Sequence, residues 1–268
     1  MRKNKLRELF KKKKPTIGVR IMTVWPGIVE ILGLTGVVDY VEFLGEYASY
    51  NLSDLENLAR ASELFDMSSM MKVDQNNQNF VAKRALGAGI QNILFTDVRS
   101  VEQAKECISI VKAETPEMGG TNGCHMRRNV GYFIDCASKE YVNAMDESVI
   151  ALMIEKKTAI DQLEEIFTVK GIDMVQFGPG DYSMSIGLVG QGSHEKVKET
   201  EKKVISTAIK YGIRPRAEID SIENFEDTIK KYIDLGVQDF SLTDNATLQY
   251  EWYKKNSEKL KEILDKSL

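Results

Sequence analysis

The sequence predicts a (β/α)₈ barrel formed by one domain over residues 1–268, on three observations. The chain has 268 residues, the usual size of one such barrel, although two smaller domains would also fit that length. Short runs rich in β-branched residues alternate with longer amphipathic runs, as in a parallel sheet with crossover helices. Two of the short runs, 151–154 and 174–177, are almost continuously apolar, which is typical of strands covered on both faces.

Eight strands can be assigned from this alternation. They lie at residues 16–21, 39–44, 70–73, 92–96, 149–154, 174–177, 214–219 and 239–242. We find no internal repeat and no low-complexity linker between them, which favours the one-domain interpretation.

Helices are predicted at both ends of the chain. The basic segment before Pro15 lacks the apolar region of a secretory signal, and it is predicted to be a solvated helix ending before that proline, with a membrane-surface patch as the alternative. The last helix is predicted over residues 248–268, with Trp252, Leu260, Ile263 and Leu264 on one apolar stripe.

Three further helix ends have a local signal. Ser53 and Ser100 each precede an acidic or amide residue three positions later, and both patterns predict capping boxes that open helices. Gly212 follows the charged run 195–211 and predicts the end of that helix.

Composition excludes several classes of protein. There are 36 basic and 40 acidic side chains, for a net charge of −4, which argues against a nucleic-acid partner. No run of about 18 apolar residues predicts a transmembrane helix, so no membrane partner is expected. The cysteines Cys107, Cys124 and Cys136 are odd in number and lack CxxC spacing, which favours reduced thiols in a cytoplasmic protein.

One segment breaks the alternation of strands and helices. Residues 114–146 form a connection that is too long for an ordinary loop between a helix and a strand. Arg127 and Arg128 lie in it, and they could bind an anionic substrate, contact a neighbouring subunit, or belong to a solvated basic turn.

Catalytic groups of a barrel lie at the carboxyl ends of its strands. Glu155 follows the fifth predicted strand directly, and Asp181 follows the sixth after a short glycine turn. Neighbouring strands lie about 4.8 Å apart, so these two carboxylates can share one cation. Hard oxygen ligands suit Mg²⁺ or Mn²⁺, whereas the alternative is that each carboxylate caps the next helix.

Other polar residues lie at the same predicted edge. Glu46 and Tyr47 follow the second strand, Lys72 lies on the third and Gln176 on the sixth. Gly180, in the turn before Asp181, allows a ligand to approach the backbone closely, and free amides before a helix can bind a carboxylate.

These residues lie in segments that resemble the HpcH/HpaI aldolase family, the metal-dependent class II pyruvate aldolases. The most specific resemblance is residues 178–190, and the weakest is residues 114–146. Further similar segments occur in the family's order at 14–18, 29–34, 51–57, 83–89 and 153–159.

The resemblance implies a (β/α)₈ barrel assembled as a homo-oligomer, a hexamer or trimer of dimers in which the last helix is exchanged between subunits. It implies Glu155 and Asp181 as ligands of a divalent metal, with Co²⁺ a further possibility. It also implies that the amides of Gly180 and Asp181 bind a small 2-oxo acid, and Gln176 and Arg127 are added as substrate-binding candidates. The implied reaction cleaves or forms a C–C bond of a 4-hydroxy-2-oxo acid through a pyruvate enolate.

Two positions depart from the family pattern. The family's Glu-His pair is Glu46-Tyr47 here, and its arginine on the third strand is Lys72. A phenol is a poor base at neutral pH, so Tyr47 or a metal-bound water is expected to move the proton while Lys72 assists the enolate. The alternatives are a synthase or lyase acting on a bulkier acid, Schiff-base chemistry on Lys72, and a barrel that binds a 2-oxo acid without turnover.

Overall fold

The computed structural model describes residues 2–220 and 224–267, and its strands form one closed parallel barrel. Each strand pairs with the next along the chain, and the last pairs with the first. The strands are β1 Thr16–Ile21, β2 Tyr40–Leu44, β3 Ser68–Val73, β4 Asn92–Phe95, β5 Ile150–Ile154, β6 Met174–Phe177, β7 Arg214–Ile219 and β8 Asp239–Leu242.

Helices surround the barrel and cover its amino end. They are α1 Lys5–Lys11, α2 Pro26–Leu34, α3 Leu52–Leu64, α4 Gln78–Ala88, α5 Val101–Val111, α6 Lys139–Asp146, α7 Lys157–Asp161, α8 Leu163–Phe167, α9 Pro179–Ser185, α10 Glu195–Lys210, α11 Phe225–Asp234 and α12 Asn245–Ser267. Within the ranges above, none of these helices has the combined length and apolar character needed to cross a bilayer.

The predicted barrel and its strand order are confirmed. Four strands match the predicted bounds, and the other four differ by one or two residues at one end. The largest difference is β3, which begins at Ser68 rather than Met70. Serine has little preference for strands, so this start is fixed by pairing with β2 rather than by local sequence.

Two of the predicted helix ends are confirmed and one is wrong. The Ser100 side chain caps α5, and Gly212 takes a left-handed conformation after α10 with φ of 74°. The N-cap of α3 is Asn51 rather than Ser53. The Asn51 side chain accepts hydrogen bonds from the backbone amides of Ser53 and Asp54, and the Asp54 carboxylate accepts one from the Asn51 amide. α12 begins three residues before the predicted start, and Leu268, its predicted end, lies outside the described residues.

An apolar layer lies inside the barrel, and polar side chains lie toward the carboxyl end. Met70, Leu94, Met153 and Met174 meet inside the barrel, and Leu6 of α1 packs against them with no exposed surface. Asn4, just before α1, donates to Asn92 of β4 from the same side. Because α1 closes the amino end, a ligand reaches the interior from the carboxyl ends of the strands.

The segment 114–146 differs from the prediction in its cysteines. Cys124 and Cys136 form a disulfide, so the prediction of three reduced thiols is wrong for this pair, and Cys107 is the free cysteine, buried in α5. The sequence offered no signal for this bond, because the pairing depends on how an irregular segment folds back and not on short spacing. Part of the segment is regular, since α6 occupies its end.

Candidate active site at the carboxyl ends of the strands

The two-residue repeat of a strand carries polar side chains into the carboxyl end of the barrel. Lys72 lies two residues after the interior Met70, and Glu155 lies two residues after the interior Met153. Since alternate residues of a strand point to the same face, both charged groups project into the barrel. Lys72 is 6% exposed and Glu155 is 4% exposed.

The Glu155 carboxylate lies in a closely fitted position. Its Oε1 accepts a hydrogen bond of 2.9 Å from the Asp97 amide, and Gly178 packs so closely that any side chain there would collide with the carboxylate. Burial raises the pKa of Glu155 to about 7, with the charges of Asp181 and Asp97 acting in the same direction and the Asp97 amide and Lys72 opposing. A carboxylate with this pKa changes charge near neutral pH.

Asp181 lies in the first turn of α9, next to Glu155 but with a different partner. Its Oδ1 accepts a 2.5 Å hydrogen bond from Lys156 Nζ, and the same Nζ lies 2.6 Å from Asp97 Oδ1. Burial favours the neutral amine, but the hydrogen bonds that the ammonium donates to Asp181 and Asp97 outweigh it and raise the pKa of Lys156. The ammonium therefore joins the ends of β4, β5 and β6.

Lys72, Tyr47 and Glu46 form a second cluster across the barrel opening. Lys72 Nζ donates to the Tyr47 hydroxyl at 2.6 Å, lies 2.8 Å from Glu46 Oε2 and stands 4.4 Å above the Tyr47 ring centre. Burial alone lowers the pKa of Lys72, but Tyr47 and Glu46 more than compensate and raise it. Burial raises the pKa of Tyr47 although Lys72 opposes this, so the pair is an ammonium and a neutral phenol near pH 7.

Gln176 belongs to a hydrogen-bond network that links four strands. Its amide nitrogen donates to Glu218 and its oxygen accepts from Arg216 Nε. Arg216 also pairs with Glu42 of β2, and Glu218 lies 3.1 Å from Arg20 Nη1 of β1. Both polar atoms of Gln176 are thus engaged by the protein.

The other two substrate-binding candidates lie in different places. Gly180 is in the first turn of α9, where backbone amides have no acceptor within the helix, and the space around its Cα is open. Arg127 lies outside the barrel, where its Nη1 donates to the Lys83 carbonyl of α4 at 2.7 Å. The structure therefore brings Gly180 to the Glu155–Asp181 cluster and does not bring Arg127 there.

Several site residues escaped the sequence analysis, among them Asp97, Lys156 and Arg20. Asp97 directly follows the fourth predicted strand, Lys156 follows Glu155, and Arg20 lies on the first strand. The rule that directs attention to strand ends could have found Asp97 and Arg20. Lys156 had no such signal, because its contacts with two other strands depend on its side-chain conformation.

The donor chemistry fits a hard divalent cation. Glu155 and Asp181 supply carboxylate oxygens, and the bare Cα of Gly178 keeps room for the Glu155 carboxylate. In residues 2–220 and 224–267, no group of three or more His, Cys, Asp or Glu is arranged to hold a metal. The protein thus offers two carboxylates, and the remaining positions of an octahedron are left for water and ligand oxygens.

Comparison with known proteins decides the family. The model of the HpcH/HpaI aldolase/citrate lyase family matches residues 36–244. The chain belongs to this family. The resemblance inferred from residues 178–190 is confirmed, and the chain is a carbon–carbon lyase.

Proteins similar in sequence to this HpcH/HpaI chain are named as aldolases. The 2-keto-3-deoxy-L-rhamnonate aldolase of Escherichia coli K12 is 27% identical over 77% of this chain and 74% of its own length. The 2-dehydro-3,6-dideoxy-6-sulfogluconate aldolase of Pseudomonas putida is 29% identical over 71% and 72%. A crystal structure of an HpcH/HpaI aldolase from Desulfitobacterium hafniense has a TM-score of 0.85 at 22% identity, over 97% of this chain and 98% of that one. That last likeness confirms the barrel fold.

Proposed function

We propose that this lyase cleaves, or in reverse forms, the C–C bond of a 4-hydroxy-2-oxo acid, giving pyruvate and an aldehyde. The observation that carries the proposal is the pairing of Glu155 and Asp181 at neighbouring strand ends with a buried ammonium, Lys72, in the same opening. Retro-aldol cleavage leaves an electron pair on the carbon next to the ketone, and opposite charge must stabilise the resulting enolate.

Glu155 and Asp181 would hold a divalent ion, Mg²⁺ or Mn²⁺ with Co²⁺ as a further option. When bound, such an ion polarises the ketone of the 2-oxo acid as a Lewis acid. The first-turn amides at Gly180 and Asp181 would bind the carboxylate of the acid, since this end of α9 carries partial positive charge.

Lys72 and Tyr47 would act on charge and proton. The Lys72 ammonium places a positive charge in a buried part of the opening, where it favours developing negative charge on the enolate oxygen. Tyr47 keeps its proton near pH 7 because its pKa is raised, and the phenol would deliver that proton to the enolate carbon. The proton that the 4-hydroxyl group loses on cleavage would pass to water, and water would return a proton to the phenolate. Glu46 pairs with Lys72 and holds the ammonium in position.

Two alternatives are disfavoured by specific contacts. The raised pKa of Lys72 opposes Schiff-base chemistry, which needs a neutral amine; borohydride treatment with pyruvate should therefore leave the chain unmodified. A synthase or lyase acting on a bulkier acid was suggested by Arg127 and Arg128, but Arg128 pairs with the Glu63 carboxylate at 2.6 Å and Arg127 bonds the α4 backbone. Arg127 therefore has no part in the proposal.

The proposal is tested by exchange of pyruvate methyl protons with D₂O, followed by nuclear magnetic resonance. We expect exchange that requires an added divalent ion and that falls at least 100-fold in Glu155→Gln. Glu165→Gln changes an exposed carboxylate on α8 and should retain full exchange. A wild-type protein that gives no exchange with Mg²⁺, Mn²⁺ or Co²⁺ would refute the proposal, and a panel of aldehydes would then identify the second product.

We also propose that the chain works as a homo-oligomer, a hexamer or trimer of dimers that exchanges α12. Support comes from α12 itself, which has 23 residues and no buried side chain. Trp252, Leu260, Ile263 and Leu264 are each more than half exposed, and a helix with such an apolar stripe is stabilised when another surface covers it. Sedimentation velocity should give the mass of six chains, and Leu260→Asp with Ile263→Asp should lower that mass.

A further inference from the structure

The ammonium of Lys156 lies between two carboxylates at the site proposed to hold the metal. Its Nζ is 2.5 Å from Asp181 Oδ1 and 2.6 Å from Asp97 Oδ1, and its side chain is 17% exposed. The next residue, Lys157, has a side chain that is 59% exposed and pairs with Asp161 outside the site. Two consecutive lysines of the same length thus differ in environment, which offers a matched pair for experiment.

The charges around Lys156 explain why it stays in this place. Asp97, Glu155 and Asp181 bring carboxyl groups from the ends of three neighbouring strands together, and Asp97 and Asp181 both disfavour the charged form of Glu155. Like charges held this close repel each other. The ammonium contacts two of the three, Asp97 and Asp181, so it offsets part of the negative charge of the cluster.

The same contact conflicts with a divalent ion. Asp181 has one carboxylate, and Lys156 holds its Oδ1 at hydrogen-bond distance. An ion bound to Asp181 would lie beside the ammonium, and two cations at that separation repel strongly in a partly buried site. Lys156 can keep its bond to Asp97 while it gives up the bond to Asp181, because the two carboxylates lie in different segments, one after β4 and one in α9.

We infer that the Lys156 ammonium pairs with the Asp181 carboxylate in the metal-free protein and is displaced from it when the divalent ion binds. Its bond to Asp97 keeps the ammonium at the site. This inference rests on the proposed function. It makes Lys156 the residue that sets the metal affinity of the site. It also makes Lys156 a stabiliser of the metal-free protein, since either the ammonium or the metal offsets the negative charge of the carboxyl cluster.

The test is Mn²⁺ binding to the full-length, metal-stripped protein, measured by electron paramagnetic resonance of the free ion. Lys156→Met should bind Mn²⁺ at least tenfold more tightly than wild type. Lys156→Arg keeps the charge and should stay within about threefold of wild type, as should Lys157→Met. The fold-changes follow from removal of one adjacent positive charge, which is worth about one factor of ten or more at a partly buried site.

Thermal unfolding gives a second, independent measurement. Without metal, Lys156→Met should melt below wild type, because Asp97 and Asp181 are left without their cation. With saturating Mn²⁺ the difference should vanish or reverse, since ligand binding stabilises the folded state according to its affinity. If Lys156→Met folds poorly, Lys156→Gln keeps a polar side chain of similar reach and is measured in the same way.

The outcomes separate this inference from the proposed function. Equal or weaker Mn²⁺ binding by Lys156→Met, with wild type binding measurably, overturns the role of Lys156 and leaves the proposed lyase site standing. Mn²⁺ binding by neither protein overturns both. Tighter binding by Lys157→Met to the same extent would mean that net charge alone is responsible, and it would also overturn the inference.

Discussion

Arg216 and Glu42 form an ion pair inside the barrel, and removing one member should cost much more stability than removing both. Neither side chain has any exposed surface. Arg216 also donates to Gln176 and to the Tyr40 hydroxyl. In Arg216→Met the Glu42 carboxylate would lose its counter-charge while fully buried, and Gln176 would lose a donor.

Breaking a buried ion pair by removing one partner typically costs about 3–5 kcal/mol, and we expect Arg216→Met to fall in that range. The double variant Glu42→Leu with Arg216→Met removes both charges, and it should lie within about 2 kcal/mol of wild type, since an apolar pair of similar volume is often nearly neutral. Incomplete pairing supports this: among the described residues, Glu42 Oε1 and Arg216 Nη2 have no hydrogen-bond partner.

The assay is urea unfolding followed by circular dichroism, with the free energy of unfolding taken from midpoints at constant slope. Lys157→Met, which breaks the exposed pair with Asp161, is the control and should leave the midpoint unchanged. The reasoning is refuted if Arg216→Met costs less than about 1 kcal/mol, or if the double variant is less stable than Arg216→Met itself.

Three further predictions concern single residues. Gly178→Ala should reduce metal-dependent pyruvate exchange at least 100-fold, because its methyl group would collide with the Glu155 carboxylate; exchange near the wild-type rate would show that the carboxylate has room to move. Burial raises the pKa of the Cys107 thiol, so the native protein should not react with a disulfide reagent at pH 8. The unfolded, unreduced protein should react with one equivalent of reagent per chain. Rapid labelling of the native protein would contradict this prediction. Burial lowers the pKa of His125, so the folded state resists its protonation. The melting temperature should therefore fall as pH drops below about 6.5, the pKa in the unfolded chain. His125→Gln should flatten this pH dependence, whereas an unchanged slope would assign the pH dependence to other groups.

The barrel was predictable because its strands are covered on both faces and are therefore visibly apolar. Residues such as Met153 and Met174 mark the interior, and the two-residue repeat then places Glu155 and Gln176. The family resemblance supported Glu155 and Asp181 from independent motifs. Local patterns were sufficient here because the fold repeats one local unit.

What escaped prediction depends on contacts between distant segments. Lys156 meets Asp97 and Asp181 only after three strands come together. Arg127 lies in a long segment whose course over the barrel no local pattern specifies, and the same is true of the disulfide between Cys124 and Cys136. Sequence alone identified the chemical groups, but the partners of those groups required coordinates.

Because α1 closes the amino end of the barrel, heat resistance and substrate selection depend on opposite ends of the fold. Arg7 of α1 pairs with Asp173 at 2.5 Å, and Leu6 fills the base of the interior, far along each strand from the carboxylates at the opposite end. Better packing around Leu6 should therefore raise heat resistance without altering substrate selection. Substitutions intended to raise heat resistance can therefore be confined to the amino end of the barrel, away from the active site at the carboxyl end.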